Sequence, residues 1–171
     1  MDNFTNVTID TTTLPKFEEI QFSVLEDDYW KVTVLNKFLL FVIIGLGLLL
    51  WLFSNRALLA FSGEIAVVYF VSLFVVLTVS RISFKKKAFA FRTHDVLFRY
   101  GIIATNTIII PYNRVQHVAL HEGFVSRYFG LAKIEVFTAG GSASDIEIPG
   151  IKKEQAENIK QLLMGKIQKQ L

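Results

Sequence analysis

Two long apolar runs constrain this chain more than anything else in it. Phe38 to Phe53 (FLLFVIIGLGLLLWLF) holds no charged or strongly polar residue. Extended back to Val34 it gives twenty residues, with Lys37 near the inner end. At ~1.5 Å rise per residue that is about 30 Å of helix, the thickness of a bilayer's hydrocarbon core. Gly63 to Ser80 (GEIAVVYFVSLFVVLTVS) has similar reach and is charged only at Glu64, near its start. The expectation is a transmembrane hairpin within residues 25–81, with spans at about 34–53 and 63–80. The competing reading is a soluble protein with two buried core helices, but each run is longer than a buried helix in so small a domain needs. A cleavable signal peptide is not expected, because the first run starts late, follows acidic residues and is too long. Gly45-Leu46-Gly47 lies inside an apolar run with no preceding strand. It reads as close helix packing rather than a nucleotide loop.

Charge is distributed unevenly around these runs. Residues 1–37 carry seven acids and three lysines, while residues 81–171 carry fourteen Lys/Arg against seven Asp/Glu. The connector 54–62 has one charge, Arg56. Lys31 and Lys37 precede the first run, and Arg81, Lys85, Lys86, Lys87 and Arg92 follow the second. The positive-inside rule then puts both termini in the cytoplasm. Tyr29 and Trp30 come just before the first run, and with Lys37 they are the expected membrane-interface anchors. Packing of the two rings against the rest of the protein is the alternative. The chain has no cysteine, which removes disulfides, thiolate metal sites and cysteine nucleophiles.

Residues 1–24 read as a polar, acidic tail, with Met1 to Pro15 loosely docked or disordered. Its two glycosylation sequons, at Asn3 and Asn6, are expected by chance in so Thr- and Asn-rich a stretch. Glu19 to Val24 alternates like a short strand, and the acids from Glu26 to Asp28 suit a helix start.

Residues 82–169 read as one small β-domain. Strands are expected at 87–92, 96–100, 107–110, 115–121, 133–138 and 145–148, from alternation and from turn residues between them. Phe124 to Phe129 should form one helical turn stopped by Gly130. Lys152 to Gln168 reads as an amphipathic helix with Ala156, Ile159, Leu162, Leu163 and Ile167 on its apolar stripe, weakened near its end by Gly165. Six short strands and a capping helix indicate a small barrel or sandwich, so the whole chain is an α+β membrane protein.

Three segments sharpen this: Pro111 to Val118 (PYNRVQHV), Arg127 to Ala132 (RYFGLA) and Thr138 to Gly141 (TAGG). In this order they resemble the signature of the bacterial pleckstrin-homology-like (PH-like) domain of the second type. With the two spans before it, the chain looks like the YdbS-like membrane proteins over roughly residues 25–165. The resemblance implies a bacterial inner-membrane protein with a cytoplasmic PH-like domain and no known enzymatic activity.

No catalytic or metal constellation is legible, and no cofactor is expected. His117 and His121 lie four apart in a strand, about 13 Å at ~3.3 Å per residue, too far to share a metal. Ser126, Ser142 and Ser144 have no base beside them in the pattern, and Glu122, Glu135, Asp145 and Glu147 are scattered. The basic cluster Lys85 to Lys87 adjoins the membrane, which explains it better than nucleic acid does. Arg114, Gln116 and Arg127 are the candidate partner surface, with Arg114 and Gln116 expected on one strand face and His117 on the other. Arg127 could instead pair with Glu122. Lys85, Lys86, Lys87 and Arg92 are the candidate anionic-lipid contacts, although Asp95 opposes Arg92 and His94 in their turn. The expected function is a non-catalytic interaction or assembly module at the cytoplasmic face, binding another membrane protein or itself and contacting membrane lipid. The alternative is anionic-headgroup sensing. No nucleic acid or small-molecule substrate is expected.

Overall fold

The computed structural model describes residues 8, 10, 19–139 and 145–168. Most of the 1–24 tail, the sequons at Asn3 and Asn6, the Gly140–Gly141 turn, Ser142 and Ser144 lie outside the described residues.

Helix α1 runs over Asp28–Ser54, 27 residues, and α2 over Ser62–Lys86, 25 residues. Both outreach the spans read from the sequence, α1 by a turn and a half at its start and α2 by as much at its end. The extra turns carry polar and charged residues, which cost nothing in a helix that has left the apolar zone. A single 3-10 stretch, Arg56–Phe61, joins the two. In the apolar window of α1 only 6% of residues are buried, and in that of α2 none. A core helix of a soluble protein would bury such a window, so these helices are candidate membrane spans by exposure as well as by length.

The hairpin is held at a few points. Tyr69 donates its hydroxyl to the Phe41 carbonyl at 2.7 Å, and the two rings meet edge to face. Gly45 makes room for this, since a Cβ there would stand 3.0 Å from the Tyr69 hydroxyl. Gly47 has nothing within 4 Å, so only one of the two glycines serves packing.

Seven strands make two antiparallel sheets among the described residues. The first, in order β1-β2-β3-β4, comprises Ser23–Val24, Ala88–Phe91, Asp95–Tyr100 and Asn106–Pro111. The second, β5-β6-β7, comprises Val115–His121, Leu131–Thr138 and Ile146–Lys152. Phe89 pairs with Phe98 and Phe98 with Ile108 in the first sheet. Val118 pairs with Val136 and Val136 with Ile146 in the second. Helix α3 is Phe124–Tyr128, stopped by Gly130 at φ +64°, and α4 is Lys153–Gln168. One core lies between the sheets and under α4, built on Val96, Ile134, Val136, Ile148, Ala156 and Leu163, each at most 1% exposed.

Several expectations change. The strand expected over Glu19 to Val24 forms only at Ser23–Val24, and it adds a seventh strand by pairing with β2. Lys87 caps α2 instead of opening a strand. The apolar run Ile108 to Ile110 suggests a buried strand, but β4 is an edge strand with Ile109 42% exposed. Leu162 is 48% exposed and off the α4 stripe, which rests on Ala156 and Leu163. The division at residues 24/25 and 81/82 is not a packing boundary, because Leu25 belongs to the domain core and Tyr29 and Phe84 pack against it.

Candidate functional site

The chain path gives the β-domain two ends. Strand β2 leaves α2 directly, so Lys87, Tyr100 and Asn106 mark the hairpin-proximal end of the first sheet. His121, Leu131 and Lys152 mark the same end of the second, where the Glu26 N–H donates to the Gly150 carbonyl at 2.9 Å. Arg92, Asp95, Pro111, Val115 and Thr138 mark the far end.

The anionic-lipid candidates divide along this axis. Arg92 lies five residues beyond Lys87, about 16 Å along the strand at ~3.3 Å per residue. Its guanidinium is held bidentate by Asp95, with Nε to Oδ1 at 2.5 Å, and this hydrogen bonding raises its pKa. Tyr112 closes the same end, its hydroxyl donating to the Arg92 carbonyl at 2.6 Å. The Arg92–His94 turn is therefore a braced corner pointing away from the hairpin. Lys86 donates to the Ile102 carbonyl at 2.6 Å, tying the β3–β4 loop to α2. Lys87 is half-buried, and burial lowers its pKa. Among the described residues, Lys85 alone of the four candidates is exposed without a hydrogen bond or ion pair.

The partner-surface candidates are not brought together either. Arg114 belongs to a 3-10 turn, Tyr112–Arg114, and not to a strand. The ladder shifts register between Val115 and His117, so a bulge at Gln116 breaks the expected alternation. Gln116 and His117 are in consequence both exposed. His117 stacks on Phe137 with ring centroids 4.1 Å apart. Arg114 and Gln116 lie at the far end and make no side-chain hydrogen bond or ion pair among the described residues. Arg127 lies at the near end on α3, 3.9 Å from Glu122. The whole length of β5 separates it from the other two.

The built feature is the joint where the helices meet the domain, and the sequence reading saw only part of it. Tyr29 packs into the domain over Gly150. A Cβ at Gly150 would stand 2.5 Å from the Tyr29 ring, and the φ of +66° also favours glycine. Burial raises the Tyr29 pKa. Tyr29 thus packs on the domain, as the alternative reading of its ring had it. Phe84 of α2 meets both rings, with centroids 6.3 Å from Tyr29 and 6.2 Å from Trp30. The Arg81 guanidinium lies 4.8 Å from the Trp30 ring and 5.4 Å from Phe84. Lys37 is half-buried two turns further along α1. The sequence reading passed over Phe84 and took Arg81 only as one of the charges that follow the second span.

Beside this joint a cleft of about 120 Å³ opens between α1 (Tyr29, Thr33, Asn36) and the domain (His121, Ser126, Lys133). Burial works against the Lys133 charge, but Glu135 at 2.5 Å and Glu147 at 3.0 Å outweigh it and raise its pKa. A lysine so neutralised is a structural cross-strand tie, not a free base. Among the described residues no three His, Asp or Glu side chains are grouped to hold a metal.

The fold agrees with what comparison finds. The chain is 26% identical over 100 residues to the UPF0699 transmembrane protein YdbS of Bacillus subtilis (strain 168). That match covers 58% of this chain and 61% of the relative, so the chain spans about three fifths of the relative's length. No solved structure gives a significant match. The family profile described as a bacterial PH domain matches residues 30–167, which takes in nearly all of α1, all of α2, strands β2 to β7 and all but the last residue of α4. That is most of the chain, and the chain belongs to the bacterial PH domain family.

Proposed function

We propose that this protein is a non-catalytic assembly module of the bacterial inner membrane. Its two helices cross the bilayer as a hairpin with both termini in the cytoplasm, and the β-domain stands on the cytoplasmic face. The topology is supported by Lys31 and Lys37 in the first turns of α1 and by Arg81, Lys85, Lys86 and Lys87 at the end of α2, against a single arginine in the connector. The module receives a transmembrane helix, from a partner subunit or a second copy, along the hairpin seam.

The seam is the observation that carries this reading. The helices leave apolar grooves of about 420 and 440 Å³ on its two sides. The groove of about 420 Å³ is walled by Gly45, Leu49, Ile65, Ala66 and Tyr69, with small residues where a third helix could come close. Headgroup sensing has less support. Its expected contacts lie at opposite ends of the domain, and Arg92 is committed to Asp95.

The test is native mass measurement of the full chain, purified in mild detergent, against Ala66→Trp, which fills the groove. A defined homo-oligomer or a stoichiometric partner, lost in the variant, is expected. A monomer carrying only lipid in both forms would sink the assembly reading.

A further inference from the structure

Helix α3 holds two large aromatic side chains in open space. Phe124 is 95% exposed and Tyr128 87%. Four residues apart, they share one face of the turn. The turn is not loose. Glu122, just before it, faces Arg127 at 3.9 Å and binds Lys153 at 3.0 Å. Behind it, the Gly130 carbonyl accepts from the Lys153 N–H at 2.9 Å. Two rings are thus held outward by a well-tied element.

Position says what covers them. Gly123 and Ser126 line the cleft shared with Thr33 and Asn36 of α1. The uncharged run of α1 opens at Phe38. Thr33 is five residues from it, about 8 Å along the helix, and Asn36 only two, so the cleft that Gly123 and Ser126 share with them lies close to the hydrocarbon edge. The headgroup layer on each side of a bilayer is about 5–8 Å thick, by the difference between the whole bilayer and its core. Amphipathic aromatic rings favour that layer. Lys31, Arg127, Lys152 and Lys153 have side chains at least half exposed at the same end of the domain, each paired with an acid. They give the surroundings of α3 the polar, charged character that suits headgroups.

We infer that α3 is a lipid-interface wedge. Phe124 and Tyr128 enter the headgroup layer of the cytoplasmic leaflet. This rests on reading α1 and α2 as membrane spans. The wedge gives the domain a third point of attachment beside the two helices. A hairpin alone can tilt in the bilayer together with the domain seated on it, and a third point of attachment opposes that tilt.

The chain has no cysteine, so single spin labels can be placed on the full-length protein. The variants are Phe124→Cys, Tyr128→Cys, Gln116→Cys at the far end and Leu46→Cys within α1. They are reconstituted in vesicles of phosphatidylethanolamine and phosphatidylglycerol, and collisions with oxygen and with a water-soluble nickel chelate are measured. The labels at 124 and 128 are expected to lose nickel collisions and keep oxygen collisions, while the label at 116 stays open to nickel. If 124 and 128 are as open to nickel as 116 while 46 is lipid-buried, the wedge is wrong and the spans stand. If both reagents are excluded at 124 and 128, a protein contact covers them and the wedge is again overturned. If 46 is open to nickel, the membrane reading fails and takes the wedge with it.

Discussion

Tyr112 lies in the stretch that most suggested a functional motif, and its contacts are structural. It is 2% exposed, and its hydroxyl donates to the Arg92 carbonyl at 2.6 Å. Burial, and then the Asp95 charge, push its pKa from 10.0 up to about 12. A folded-state pKa above the unfolded one means the folded chain holds the proton longer. The stabilisation is therefore complete below pH 10 and is lost as pH rises towards about 12. Tyr112→Phe should cost about 1 kcal/mol at neutral pH, the net worth of one such hydrogen bond. The gap between the two proteins should then close across that alkaline range. Denaturant unfolding of the full chain in micelles, as a function of pH, reads both; a gap that stays constant would remove the phenol from the account. Residues of this kind are hard to assign from sequence. A tyrosine beside Arg114 and Gln116 looks like a recognition surface until its own partner, twenty residues earlier, is known. Tyr29 left two readings open, because its ring suits a headgroup layer and a core equally well, and the residue it packs on, Gly150, lies far along the chain.

At the scale of elements, most of the fold was legible. Strand β5 forms over Val115–His121, the range expected for it, and Gly130 stops α3 as its neighbours implied. What escaped were features set by tertiary partners. The bulge at Gln116 inserts one residue into a period-2 pattern and turns the expected faces around. Strand β1 exists only because β2 offers an edge. In the hairpin, the sequence offered two glycines of equal standing, but only Gly45 faces the other helix. Its partner Tyr69 holds α2 to α1 through the Phe41 carbonyl. Hydrogen bonds between membrane helices average only about 0.6 kcal/mol, because the separated helices find other partners. Tyr69→Phe should weaken the hairpin by about that much, measured by unfolding in mixed micelles, while Gly47→Ala should leave it unchanged or slightly firmer. A loss of several kcal/mol in Tyr69→Phe would mean that the hydroxyl does more than this one bond.

For the whole molecule, the consequence is mechanical. Neither helix is joined to the domain by a linker. Helix α1 starts on the domain, with Leu25 and Val32 buried and Tyr29 seated over Gly150, and α2 passes into β2 across Lys87 alone. Phe84 sits between Tyr29 and Trp30 and ties the two helix roots to each other. A helix arriving in the hairpin groove would thus tilt the β-domain with the hairpin rather than leave it hanging. Phe84→Ala tests this coupling. A fully buried Phe→Ala change costs about 3–5 kcal/mol, and Phe84 is half-buried, so about 2 kcal/mol is expected. The more telling readout is geometric. Spin labels at Asn55→Cys, beyond α1, and Gln116→Cys, at the far end of the domain, should give a narrow distance distribution in the parent chain. In Phe84→Ala it should broaden, with both sheets intact by circular dichroism. A distribution equally broad in the parent would mean that the domain moves freely on its helices, and that binding in the membrane is not transmitted to it.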